Sequence, residues 1–242
     1  MISRSDTRDK ILEYYVKVLK NMPQQFTSNM QADLFIKQNP LAFLFAVILD
    51  QGAVAEKMWE LPYRLREVLG HFDVYGIARM TEVEIYDAFQ KLPTKPRYVK
   101  TAAKRIRSAA VQVVLRYQGQ ADNIWNDNPK AADLQARFAA FDGIGQKKAS
   151  MATRILGMDL NVPIRNWTEI DVSVDEMIQR VFPRAGLSSS DDPRAIISAA
   201  RELSPSFPGA LDLPCWVIGR TWCRPQSRDC SACYIGLVCP KL

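Results

Sequence analysis

Apolar residues recur at helical spacing along nearly the whole chain. Ile11, Leu12, Tyr15, Val16 and Leu19 make one stripe near the N-terminus. Residues 41–49 are apolar on every side and follow Pro40, which predicts a helix buried at the centre of a lobe. Thr81 with Glu84 three residues on forms a capping box that opens a helix over 82–90. Residues 97–117 form a long amphipathic helix that ends near Gly119. Ala103, Ile106, Ala110, Val113 and Tyr117 lie on one face; Lys100, Lys104 and Arg107 lie on the other. Asn128-Pro129 pairs an N-cap with a first-turn proline ahead of the stripe Leu134, Phe138 and Phe141. A helix over 146–156 stops at Gly157. Another covers 175–182, and Asp192-Pro193 opens one more, with Ile196, Ile197, Ala200 and Leu203 inside. No stretch alternates with period two, so the fold class is all-α.

The chain has 242 residues, room for one large domain or two small ones. Its longest apolar run is well short of a membrane span, and its first residues carry no apolar signal-peptide core. A cytoplasmic or otherwise intracellular, monomeric protein without a membrane partner is therefore expected. Lys and Arg number 32 against 26 Asp and Glu, a net charge of +6 that favours polyanions such as nucleic acid. The single histidine, His71, follows Gly70 at a helix end and reads as a capping or surface residue. This argues against histidine-rich zinc catalysis and against serine–histidine or cysteine–histidine dyads.

All five cysteines lie between 215 and 239. Cys223, Cys230, Cys233 and Cys239 are spaced C-x6-C-x2-C-x5-C, with Pro240 directly after. Four thiolates so close in sequence can complete the ligand set of one metal or one cubane cluster. Zinc ribbons pair two C-x2-C knuckles, whereas only one is present here, and bacterial ferredoxins use tighter spacing. Cys215 stands outside the pattern on an apolar stretch and reads as a core thiol.

Two further stretches carry chemistry. In Phe141-Asp142-Gly143-Ile144-Gly145-Gln146-Lys147-Lys148-Ala149 an apolar helix enters a Gly-x-Gly turn and a new helix opens at once. The glycines let another backbone approach, and the free amides at the new helix start suit a phosphate. Downstream, Val174-Asp175-Glu176-Met177-Ile178-Gln179-Arg180-Val181 places an aspartate where it can cap a helix, with Asp171 one turn earlier as the alternative carboxylate.

Together the three motifs resemble the endonuclease III and adenine-glycosylase families of the helix-hairpin-helix glycosylases. The hairpin resembles their L-P-G-[VI]-G-x-K-x-A, with Asp142 in place of the proline. The aspartate stretch resembles their V-D-x-x-[IV]-x-R-V, with Glu176-Met177 in place of the usual Thr-His and a longer connection, including 161–168, before it. The resemblance implies a six-helix barrel over 37–165 with the hairpin at about 130–157. It also implies a second domain, from 1–36 and 166–242, holding a [4Fe–4S] cluster on Cys223, Cys230, Cys233 and Cys239.

The function so implied is base excision from double-stranded DNA containing a damaged or mispaired base, with oxidised pyrimidine as the family default. Lys147 would be the nucleophile of a glycosylase with associated lyase activity, because an amine desolvated at a helix N-terminus gives up its proton more readily. Asp175 would stabilise the sugar cation and shuttle protons. Gln51 would fill the gap left by the flipped base, and Gly143, Gly145, Lys148, Arg224 and Arg228 would meet the DNA backbone. Two other readings stay open: a monofunctional glycosylase in which Asp175 activates water, and a non-catalytic iron–sulfur module that binds DNA or senses redox state.

Overall fold

The computed structural model describes residues 3–22, 25–51 and 54–241. Within them lie thirteen α-helices: α1 (Arg4–Lys17), α2 (Met30–Gln38), α3 (Pro40–Leu49), α4 (Ala55–Trp59), α5 (Leu61–Leu69), α6 (Val74–Arg79), α7 (Glu82–Gln90), α8 (Val99–Arg116), α9 (Ala131–Ala139), α10 (Gln146–Met158), α11 (Glu176–Arg184), α12 (Pro193–Leu203) and α13 (Asp212–Thr221). Four short 3-10 turns join them, and extended pairing among the described residues is limited to two isolated bridges. The fold is all-α.

Two apolar cores organise the helices. The first gathers residues from Phe26 to Ile170 around α3, whose side chains from Leu41 to Leu49 are all buried. Each of the Leu, Phe, Val and Ile side chains contributes about 1.5–3 kcal/mol by leaving water, and the two alanines less, which explains why this helix is apolar all round. It packs against α2, α4, α5 and α8. Among the described residues no single helix is long and apolar enough to cross a membrane. The second core joins Ile11, Tyr14 and Leu19 of the N-terminal segment to residues from Val172 to Ile235. The chain therefore starts in one lobe, builds the other, and returns. Phe26 and Ile36 belong to the first core, so α2 packs with the barrel although the sequence reading placed it with the second domain. Charged contacts cross between the lobes: Arg220 Nη1 of α13 meets Glu56 Oε1 of α4 at 2.6 Å, and buried Arg154 of α10 lies 3.5 Å from buried Asp212 of α13.

Local signals fare unevenly. The Thr81–Glu84 capping box forms in both directions, and Asp192 caps α12 with Pro193 in its first turn. The N-terminal stripe is rotated: Ile11, Tyr14 and Leu19 are buried, whereas Val16 is exposed. Asn128 is not a cap. Its φ of 53° places it in a left-handed turn, and the next residues pair with an extended strand-like segment through Ala131 N to Arg165 O (2.8 Å) and Arg165 N to Pro129 O (3.0 Å). The helix consequently starts at Ala131. Gly157 does not stop α10 either. A Cβ there would lie 2.5 Å from the Trp167 ring, so the glycine admits the long connection that docks on the helix. The exposed His71 ring accepts the Asp73 amide at 3.3 Å, after Gly70 closes α5 at φ 73°.

Candidate functional site

The hairpin joins α9 to α10. Gly143 has φ 91°, a conformation that disfavours any side chain, and a Cβ there would lie 2.8 Å from Arg105 Cδ. Gly145 caps α10 with open space where a Cβ would stand. The first intrahelical bond is Ala149 N to Gly145 O (3.0 Å), so the amides of Gln146, Lys147 and Lys148 precede the ladder. An open glycine, three leading amides and the positive helix end make a corner whose chemistry suits an anion.

The two lysines at this corner differ sharply. Lys147 is exposed. Lys148 is half-buried, and its Nζ donates to Ile48 O at 2.8 Å, at the end of α3. Burial, with help from Arg105 and Lys147, pushes the Lys148 amine down to about 8, against an opposing pull from Asp50. The desolvated amine that the sequence reading assigned to Lys147 is thus found on Lys148.

Arg105 of α8 ties the corner to the end of α3. Its Nη1 donates to Gln51 Oε1 at 2.9 Å and its Nε lies 3.4 Å from Asp142 Oδ1. Asp142, standing where the resembled motif has proline, thereby gains a partner of its own. Gln51 is exposed beside the corner; Gly52, after it, lies outside the described residues.

Asp175 arrives from the other lobe. It caps α11, accepting Met177 N at 2.9 Å and Ile178 N at 3.0 Å. Both bonds end on Oδ1, so Oδ2 stays outside the cap. Asp171 has a different environment: it is buried and held by Arg201 through two bonds of 2.7 and 2.8 Å. Lys148 reaches the end of α3 that Asp50 closes, through Ile48 O, and the charges of Lys148, Lys147 and Asp175 all act on the largely buried Asp50 carboxyl.

The four tail cysteines line one small cavity with Arg184, Ile218, Trp222 and Ile235. Burial pushes Cys233 up to about 11, and the neighbouring Cys239, Cys223 and Cys230 push it in the same direction. Arg184 Nη1 lies 3.7 Å from Cys223 Sγ, and Cys239 Sγ lies 3.6 Å from Arg184 O. A Cβ at Gly236 would collide with the Cys230 carbonyl, so the loop closes this tightly only with glycine. Among the described residues, no three Cys, His, Asp or Glu side chains converge as they would on a single ion. Cys215 is fully buried in the second core, where burial pushes its thiol well up. Arg224 and Arg228 are exposed on the loop between the first two cysteines.

Sequence reasoning missed Asp50, Arg105 and Arg184. Each acts between helices distant in sequence, so no local pattern marks it.

No family model matches the chain, and no curated protein matches it in sequence. Solved structures do. The structure of a trapped endonuclease III–DNA covalent intermediate is 17% identical with a TM-score of 0.69, over 100% of this chain and 97% of that one. A non-covalent endonuclease III–DNA complex is 17% identical with a TM-score of 0.70 over the same shares. A thermostable thymine-DNA glycosylase is 14% identical with a TM-score of 0.64, over 98% of this chain and 95% of that one. The chain has the endonuclease III fold over its full length.

Proposed function

We propose that this protein is a DNA glycosylase that excises a damaged or mispaired base and then opens the abasic site through a lysine Schiff base. The observation that carries the reading is the junction of the two lobes. There the first turn of α10 presents two lysines on an anion-binding corner, and a helix-capping carboxylate arrives from the opposite lobe. That placement suits a reaction at a sugar carbon beside a phosphate. The full-length likeness to DNA-bound endonuclease III structures supports it.

In this reading the duplex is kinked and the target base leaves the stack, with Gln51 near the gap. Lys147 is the nucleophile, because it is the exposed amine at the corner, whereas Lys148 is committed to Ile48 O. The lysine attacks C1′ as the base departs, and β-elimination from the Schiff base nicks the strand. Asp175 stabilises the positive charge that develops on the sugar, with Oδ2 available for it. Lesion choice is the test: incubation with oligonucleotides carrying oxidised, deaminated or mispaired bases, read with and without alkali. Nicking without alkali supports the lyase. Base loss seen only after alkali makes the enzyme monofunctional, and no base loss on any lesion favours a binding module.

Cys223, Cys230, Cys233 and Cys239 fit a [4Fe–4S] cluster: they line one cavity, feel one another's charge and have an arginine beside them. A single zinc would hold four sulfurs within about 4 Å of each other, whereas a cubane binds each at a separate corner. The cluster's contribution would be structural, fixing the loop that carries Arg224 and Arg228. Purified anaerobically, the protein is expected to be brown with about four irons per chain. Cys215→Ala should keep both colour and iron. A colourless protein with one zinc would refute the cluster.

Binding to duplex DNA should weaken steeply with salt. Arg224→Ala and Arg228→Ala are each expected to lower the slope of log affinity against log salt by about one. If both leave the slope unchanged while iron content is intact, the loop is not part of the DNA interface.

A further inference from the structure

Arg154 of α10 is buried at the seam between the lobes, and no step so far uses it. Its Nε lies 3.5 Å from Asp212 Oδ2, and its Nη1 lies 3.9 Å from Asp159 Oδ2. All three side chains are at most 10% exposed. A guanidinium keeps its charge even out of water, so it needs carboxylates here, and each carboxylate needs it in turn. The contact is charge against charge, since neither Nε nor Nη1 makes a hydrogen bond among the described residues. Asp212 opens α13 in the second lobe, and its Oδ2 also accepts the Ser173 amide at 3.2 Å. Ser173 is buried and stands two residues before Asp175, at most about 7 Å of chain away.

The helix that carries Arg154 carries Lys147 two turns earlier. At that spacing the two side chains leave α10 within about 20° of each other, about 10 Å apart along its axis. The Asp212 contact shows which way this face looks: toward the lobe from which Asp175 comes. α13 also seats the helix that Asp175 caps. A Cβ at Gly219 would lie 2.8 Å from Met177 Cβ, so α13 and the first turn of α11 touch almost backbone to backbone. At the other end of α13, Arg220 stacks on Trp216 at 4.5 Å and reaches Glu56 of α4 at 2.6 Å. Ion pairs thus join α13 to the first lobe at both ends, one pair buried and one partly exposed. Water screens the exposed pair, so the buried one carries more of the register.

We propose that Arg154 is a positioning residue: through Asp212 it holds the segment bearing Asp175 in register with the helix bearing Lys147. This rests on the glycosylase reading above. A reacting group displaced by about 1 Å can slow chemistry about a hundredfold, so a tie remote from the DNA can still govern the rate.

The test compares Arg154→Met, Arg154→Lys and the double variant Arg154→Met with Asp212→Asn. Arg154→Met alone leaves a buried carboxylate unpaired and should lower the thermal midpoint. The double variant removes both charges, and Asp212→Asn keeps an oxygen for the Ser173 amide, so most of that loss should return. Base loss is followed in single turnovers, read after alkali, on duplexes carrying an oxidised pyrimidine, a uracil or a mispaired thymine. On any duplex that wild type acts upon, the double variant should stay slow by about a hundredfold. Arg154→Lys restores a charge facing Asp212 and should regain part of the rate. In an Asp175→Asn background Arg154→Met should slow base loss no further, because the group it places has already lost its charge. A double variant as fast as wild type once its stability is back would overturn the proposal. So would an equal slowing with and without the Asp175 carboxylate.

Hydrogen exchange, followed by mass spectrometry without DNA, tests the tie itself. Peptides covering 171–176 are expected to exchange about tenfold faster in the double variant, while those of α3 keep their rate. Unchanged exchange at 171–176 refutes the tie, whatever the activity. Wild type that removes no base from any of the duplexes refutes the glycosylase reading instead, and the exchange arm separates the two failures.

Discussion

Lys147→Gln is expected to abolish the borohydride-trapped adduct with abasic-site DNA, a loss of about a thousandfold or more, because it removes the atom that forms the covalent bond. Folding should be untouched, since Lys147 is exposed in the first turn of α10 and glutamine is a comparable helix former. Lys148→Gln should behave differently. Lys148 Nζ satisfies the carbonyl of Ile48 at 2.8 Å, so its loss is expected to cost about 1 kcal/mol of stability. Trapping should fall by less than tenfold. The contrast matters because burial and proximity to positive charge favour a neutral amine at Lys148, whereas access to DNA favours Lys147. Access decides, in our reading: a nucleophile must reach C1′, and Lys148 would have to leave its carbonyl first. If Lys148→Gln alone loses the adduct, the buried amine is the nucleophile and the hairpin register shifts by one residue.

What the sequence made legible follows the range over which each feature is encoded. The four tail cysteines lie close together in the sequence, so spacing alone singled out four thiols that line one cavity and set Cys215 apart in the core. The helical class follows from periodicity, and the buried helix α3 from an apolar run with no polar face. Local turn chemistry was less reliable wherever a distant segment intervened. Asn128-Pro129 has the composition of a helix start, but pairing with Arg165 holds it extended. Gly157 looks like a stop, but it lies within the helix to admit Trp167. Asp50 could not be recognised at all. It reads as an ordinary helix-end aspartate until the fold brings Lys148 of α10 to Ile48 O at the same helix end. The choice between Asp171 and Asp175 was likewise open in sequence, because both precede the same helix. Their partners separate them, and these come from α12 for one and from the backbone of α11 for the other.

That separation sets up the second large effect. Asp175→Asn is expected to bind lesion DNA with wild-type affinity yet excise the base about a thousandfold more slowly. Asparagine caps a helix as well as aspartate does, so the bonds from Met177 N and Ile178 N survive and α11 stays in place. What disappears is the negative charge next to the sugar, where positive charge develops as the glycosidic bond breaks. Asp171→Asn should show the reverse pattern. It breaks a bidentate pair whose carboxylate is buried, and because the Arg201 partner is 61% exposed the cost is moderate, about 1–2 kcal/mol. Excision should continue at near wild-type rate, since Asp171 is turned toward α12. Excision rate and thermal midpoint, measured on both variants, separate the two roles. A carboxylate needed for chemistry lowers the first and spares the second; one needed for packing does the opposite. An Asp171→Asn enzyme that is stable but inactive, beside an active Asp175→Asn, would move the catalytic carboxylate back into the extended segment that precedes α11. The interlobe junction would then have to be rebuilt around Arg201, whose guanidinium already occupies both oxygens of that carboxylate. This is the physical reason to expect Asp175 instead: its second oxygen lies outside the cap, while Asp171 has none to spare.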